Sequence, residues 1–130
     1  MNPETLKPGD TFVIRDRGGV HLYILVAING KAKKFVFVNI TTRRDLPPSG
    51  LPTPRDPPWR VTLKKGDHDF IKRDSDVNLG DALAVNEASV PNFLSGARKR
   101  NPMTSSIATR IVGAMTISGA VPDEIKRLLR

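Results

Sequence analysis

Strand-length apolar segments separated by turns fill the first two-thirds of the chain, and apolar residues recur at helical spacing after it. A turn at Lys7-Pro8-Gly9-Asp10 leads into a strand from Thr11 to Arg15, with Phe12 and Ile14 on one side and Thr11, Val13 and Arg15 on the other. Leu22 to Ile28 is an unbroken apolar run rich in β-formers, the pattern of a central strand covered on both faces. Asn29-Gly30 is a hairpin signal, lengthened by Lys31 to Lys34. The next strand, Phe35 to Ile40, sets Phe35, Phe37 and Asn39 on one face and Val36, Val38 and Ile40 on the other. Six of the eleven prolines then fall between Leu46 and Pro58, which makes that segment an exposed loop.

Beyond the loop, Arg60 to Leu63 reads as a short strand, Lys64-Lys65-Gly66-Asp67 as a turn, and His68 to Ile71 as another strand. Val77 to Val85 is interrupted by Asn78, Gly80 and Asp81, and a strand is expected around Ala82 to Val85. From Ser89 the period becomes helical. Ile107, Ile111, Val112 and Met115 form one amphipathic face, with Ser105 or Ser106 as the cap and Ser118-Gly119 as the stop. Pro122 opens a last helix whose acids come first and bases last, matching the helix dipole. The expectation is a single domain over 1–130: a small antiparallel β-barrel at 1–88 carrying the proline-rich loop 46–58, then a helical part at 89–130.

Charge adds a partner class. The 130 residues carry 21 Lys and Arg against 13 Asp and Glu, a formal charge of +8, which favours a polyanion such as nucleic acid or an acidic protein segment. Arg43-Arg44, Lys64-Lys65, Lys72-Arg73 and Arg98-Lys99-Arg100 concentrate it at element ends. The chain has no cysteine, so it has neither disulfides nor a thiolate zinc site. Asp67, His68 and Asp69 are consecutive and would point to opposite faces of a strand, so no metal or other cofactor is expected. The start, Met1-Asn2-Pro3-Glu4, lacks the basic and apolar regions of a signal peptide, and no apolar run approaches the ~20 residues of a membrane span. A cytoplasmic protein without membrane partners is the expectation.

The chain has two histidines, His21 beside Gly18-Gly19 and His68 after Gly66-Asp67. A free imidazole titrates near neutrality, at ~6.5, and so can give or take a proton there. An antiparallel hairpin over Gly18 to Arg44 would bring His21 near Thr41, Thr42, Arg43 and Arg44. Trp59 either stacks a base or plugs the end of the barrel.

Gly9-Asp10, Gly18-Gly19-Val20-His21-Leu22 and Asn39-Ile40-Thr41-Thr42 together resemble the MazF/PemK-like toxins of toxin–antitoxin systems, in the barrel superfamily that also holds CcdB. Ser75 to Val85 is similar to the family's later strand and Ile125 to Leu129 to its closing helix; the hairpin carries the close match. The resemblance implies a homodimeric SH3-like barrel that cleaves single-stranded RNA without metal and is neutralised by an acidic antitoxin. It puts His21 where the family has a catalytic arginine and Thr41 where it has a catalytic threonine. Histidine in that place is a departure, because a neutral imidazole lacks arginine's permanent charge and bidentate grip. The expected catalytic set is therefore His21, Thr41, His68 and Arg43. The expected RNA contacts are Arg15, Arg17, Thr42, Arg44, Trp59, Arg60, Lys64 and Lys65. The alternative is a non-catalytic barrel that binds nucleic acid or a protein target, as CcdB poisons a topoisomerase.

Overall fold

Leu22 to Val26 are all buried, and on a strand successive side chains leave by opposite faces. Leu22, Ile24 and Val26 accordingly enter one core and Tyr23 and Leu25 a second. This is seen in a computed structural model, which describes residues 2–16, 19–42, 60–72 and 75–129, with 16, 41, 42 and 60 described by backbone alone. The strand concerned, β2 (Gly19–Asn29), lies between β1 (Thr11–Asp16) and β3 (Lys34–Thr42). Three further strands, β4 (Arg60–Leu63), β5 (Ser75–Asn86) and β6 (Arg98–Arg100), complete one antiparallel sheet in the order β4-β5-β3-β2-β1-β6.

The two faces are covered differently. One face, built on Leu22, Ile24, Val36, Val38, Val77 and Leu79, packs against Ile111 and Met115 of α2 (Ser105–Ile117) and Ile125 of α3 (Asp123–Leu128). We call it the helix face. The other, the aromatic face, is built on Phe12, Tyr23, Phe35 and Phe37 and lies under Leu6, Leu94 and Val90 of the one-turn α1 (Val90–Phe93). No helix among the described residues is long and apolar enough to cross a membrane.

A barrel closed by strand pairing is not what these residues form, since the pairings leave β4 and β6 as margins. Two irregularities bend the sheet instead. One extra residue bulges from β2 between Leu25 and Ala27. On β5 the ladder passes from Asn78 to Leu83 while β3 moves only from Asn39 to Phe37. Bulges of this kind kink a strand and increase its twist.

The chain leaving β4 then crosses to the opposite margin. His68 Nε2 lies 2.5 Å from the Asn101 carbonyl, just past β6, and 3.4 Å from Thr11 Oγ1 on β1. Thr11 Oγ1 also donates to that carbonyl at 2.6 Å. A polar clasp thus joins the two margins that backbone pairing leaves apart.

Several expectations are corrected. His68 to Ile71 is not a strand: the Ile71 N–H donates to the His68 carbonyl at 2.9 Å, closing a turn directly after the one at Lys64 to Asp67. That first turn repeats the one at Lys7 to Asp10. In each, glycine holds a positive φ (99° at Gly9, 96° at Gly66), as a type II turn requires. In each, the aspartate N–H returns to the lysine carbonyl (3.1 and 3.0 Å). In each, an aspartate oxygen accepts the lysine N–H (3.0 and 2.8 Å). Arg98 to Arg100, expected only as a basic cluster, is an edge strand on β1. The N-cap of α2 is Thr104 rather than Ser105 or Ser106.

Candidate functional site

The backbone registers line up a row of positions across the sheet. Ile14 pairs with His21. Leu22 pairs with Ile40, so His21 and Thr41 fall one step further along the same ladder. Thr41 pairs with Asp76, and Asp76 with Thr62. The row therefore reads Thr62, Asp76, Thr41, His21, Ile14 from β4 to β1. Ile14 packs with the aromatic core, which places the row on the aromatic face. Strands lie about 4.8 Å apart, so the His21 and Asp76 backbones stand about 10 Å apart with Thr41 between them.

The next row is Arg60, Asn78, Asn39, Tyr23, Phe12. Apolar cover from Leu6, Val90 and Leu94 extends over the Phe12 and Tyr23 end. Toward β4 the same face turns polar. Thr62 Oγ1 donates to Asp76 Oδ1 at 3.3 Å, and Asn78 Nδ2 donates to Asn39 Oδ1 at 3.4 Å. Asp76 is buried, while His21, Asn39 and Asn78 are half-buried. None of His21, Tyr23, Asp76 and Asn78 is without a partner. Arg110 of α2 reaches the β4 margin and donates through Nη2 to the Thr62 carbonyl, which brings a guanidinium to the end of the first row.

His68 stands elsewhere. Its contact with Thr11, a neighbour of Val13 by parity, puts it on the helix side, and it is only 5% exposed. The Phe70 N–H lies 3.0 Å from Nδ1, and Nε2 faces the Asn101 carbonyl. Asp69 Oδ1 also lies 3.0 Å from Nδ1, its charge shared with Asn101 Nδ2 at 3.0 Å and Arg100 at 3.9 Å. Both ring nitrogens are thus committed to holding the clasp. Replacing His68 with Ala is expected to cost about 2 kcal/mol, from lost hydrogen bonds and a small void. Urea denaturation measures that loss. Activity of the folded variant should stay at the wild-type level, because the clasp is not on the His21 side.

The remaining expected residues divide as follows. Arg15 pairs with Val20 and, by alternation with Ile14, belongs to the helix face. Thr42 pairs with Ser75, one position past the row and on the opposite face from Thr41. Arg60 holds the β4 end of the second row. Lys64 and Lys65 are exposed in the turn after β4. Arg17, Arg43, Arg44, Trp59 and the loop 46–58 lie outside the described residues. Among the described residues no three His, Asp or Glu side chains cluster so as to hold a metal ion.

Sequence reasoning missed Asp76, Thr62, Asn78 and Arg110, whose places depend on pairing between distant strands. Asn39 carried a signal: it continues the Phe35, Phe37 face with an amide where an apolar side chain is due. No protein-family model matches the chain and no curated protein matches it.

Proposed function

We propose that this chain is a metal-independent endoribonuclease of the toxin kind that cleaves single-stranded RNA. The carrying observation is that the registers set His21 and Asp76 on either side of Thr41 along one row. One ionisable group on each side of a phosphate is the arrangement that acid–base cleavage of RNA needs. The Asp76 carboxylate takes the proton of the 2′-OH, and O2′ attacks phosphorus. The P–O5′ bond breaks, and O5′ leaves with a proton from the His21 imidazolium. The products are a 2′,3′-cyclic phosphate and a 5′-hydroxyl. Thr41 positions the phosphate. Arg43 and Arg110 supply the fixed positive charge that histidine, standing in the family's arginine place, cannot. Asp76 takes the second proton-transfer role that the sequence suggested for His68.

Several features support the wider MazF/PemK-like reading. The antiparallel sheet is bent by two bulges and its margins are bridged by side chains, as an SH3-like barrel of incomplete closure would be. The charge of +8 suits both an RNA substrate and an acidic antitoxin. A homodimer in the cytoplasm belongs to the same reading.

The test is incubation of the purified protein with a long single-stranded RNA in the presence of EDTA. Fragments ending in cyclic phosphate are expected. RNA left intact across the neutral range would overturn the nuclease reading and support a CcdB-like barrel that binds without cutting.

A further inference from the structure

The three consecutive cations of β6 alternate in direction and so reach different sides of the sheet. Lys99 stands opposite Phe12, on the aromatic side. Its Nζ lies 3.5 Å from Oδ2 of Asp10, a carboxylate only 1% exposed. The other oxygen of Asp10 has no hydrogen-bond partner among the described residues. A charge buried in this way depends on its counter-ion, so Lys99 is committed to the fold. Arg100 lies opposite Thr11 and Arg98 opposite Val13, which puts both on the helix side. Arg100 is partly engaged, with Asp69 at 3.9 Å and its guanidinium carbon 5.9 Å from the centre of the Phe70 ring. The exposed Arg98 guanidinium makes no ion pair or hydrogen bond with a described residue.

The line continues onto β1. Arg15 comes two residues after Val13 on the same side, and its exposed guanidinium is equally without a described partner. Positions two apart on a strand stand about 7 Å from each other, and a diagonal step to the next strand is about 7–8 Å. Arg100, Arg98 and Arg15 therefore form an evenly stepped row, which suits the repeating charge of an extended phosphodiester chain. Val20, paired with Arg15 and 46% exposed, adds an apolar surface at the end of the row. That end adjoins the candidate site. β6 pairs with β1 only from Thr11 to Val13, so from Ile14 onward β1 has no strand on its outer side among the described residues. Ile14 closes the row that holds Thr41 and His21, and Arg15 is the next residue, on the opposite side of the sheet. A strand that leaves His21 past Ile14 and turns round this open margin meets Arg15 first and Arg98 next.

We infer that Arg15, Arg98 and Arg100 form a phosphate-binding track on the helix side of the β1–β6 margin, holding single-stranded RNA beyond the cleavage row. Guanidinium groups suit phosphate because each offers paired N–H donors and keeps its charge. A duplex, stiff over about 150 base pairs, does not fold round a single sheet edge, whereas a single strand does. The inference rests on the RNA reading above and carries the substrate onto the opposite face of the sheet.

The test measures binding, so that it does not depend on cleavage. A 2′-O-methyl uridine oligomer of about 20 residues, which cannot be cut through its 2′ oxygen, is titrated by fluorescence anisotropy from about 0.1 to 1 M salt. Replacing both Arg15 and Arg98 with Gln should weaken binding on the order of tenfold at the low-salt end. It should also flatten the salt slope by about 1.4, at about 0.7 per phosphate contact. Each single substitution should take half of that change, so the single variants decide if thermal melting shows the double variant unfolded. Arg127→Gln removes one exposed charge from α3 and should leave the slope close to wild type. An unchanged slope in Arg15→Gln and Arg98→Gln, or an equal loss in Arg127→Gln, overturns the track. A glutamate oligomer of the same length that competes as well as RNA also overturns it, and makes the margin an acidic-protein surface. Cleavage by a protein whose slope ignores both arginines removes the track and keeps the nuclease reading. Arginine-dependent binding by a protein that cuts no RNA does the reverse.

Discussion

Replacing His21 with Ala is expected to lower RNA cleavage by about 10²-fold or more. The leaving 5′ oxygen departs as an alkoxide unless a proton meets it, and on the first row His21 is the group able to deliver one. The effect should fall on kcat, with RNA affinity nearly unchanged, because a half-buried imidazole contributes little to holding a polyanion. The split between kcat and RNA affinity separates this role from a structural one. Asp76→Asn, which keeps the shape and removes the carboxylate, should lower cleavage likewise. A His21→Ala protein as active as wild type would refute the assignment.

The second large effect is on stability. Phe37→Ala is expected to cost about 3–5 kcal/mol, a large share of the roughly 5–15 kcal/mol typical of a domain. Phe37 is fully buried and joins the Phe12 ring (6.2 Å, edge-on) to the Phe93 ring (4.9 Å). Its removal opens a void under α1 that neighbouring rings fill poorly. A fall in the urea midpoint with little change in slope would be the signature of this loss. A change of less than about 1 kcal/mol would mean that α1 is not held by the aromatic core.

What could be read from sequence was local. The faces of β1 and β3 follow from alternation, the two-sided burial of β2 from its unbroken apolar run, and Arg60 to Leu63 emerged with its observed limits. The mistakes share a cause. His68-Asp69-Phe70-Ile71 follows a turn and ends in two β-forming residues, as a strand would, yet a second tight turn absorbs it directly after the turn made by Gly66 and Asp67. The pairing of β5 with both β3 and β4, and of β6 with β1, depends on contacts distant in sequence, which no local pattern encodes. That is why Thr41 was found and Asp76 was not. It is also why two histidines with similar flanks proved to lie on different sides of the sheet.

The two margins of the sheet carry a consequence for self-association. An open β-edge is a template on which another strand can form. At β6 the edge is three exposed cations in a row, Arg98, Lys99 and Arg100. Two copies meeting edge to edge there would set like charges against each other. At β4 the Thr62 carbonyl is already taken by Arg110. A dimer of this chain is therefore expected to meet through side chains rather than by continuing its sheet, and the same guarded edges protect the chain against fibre-like growth.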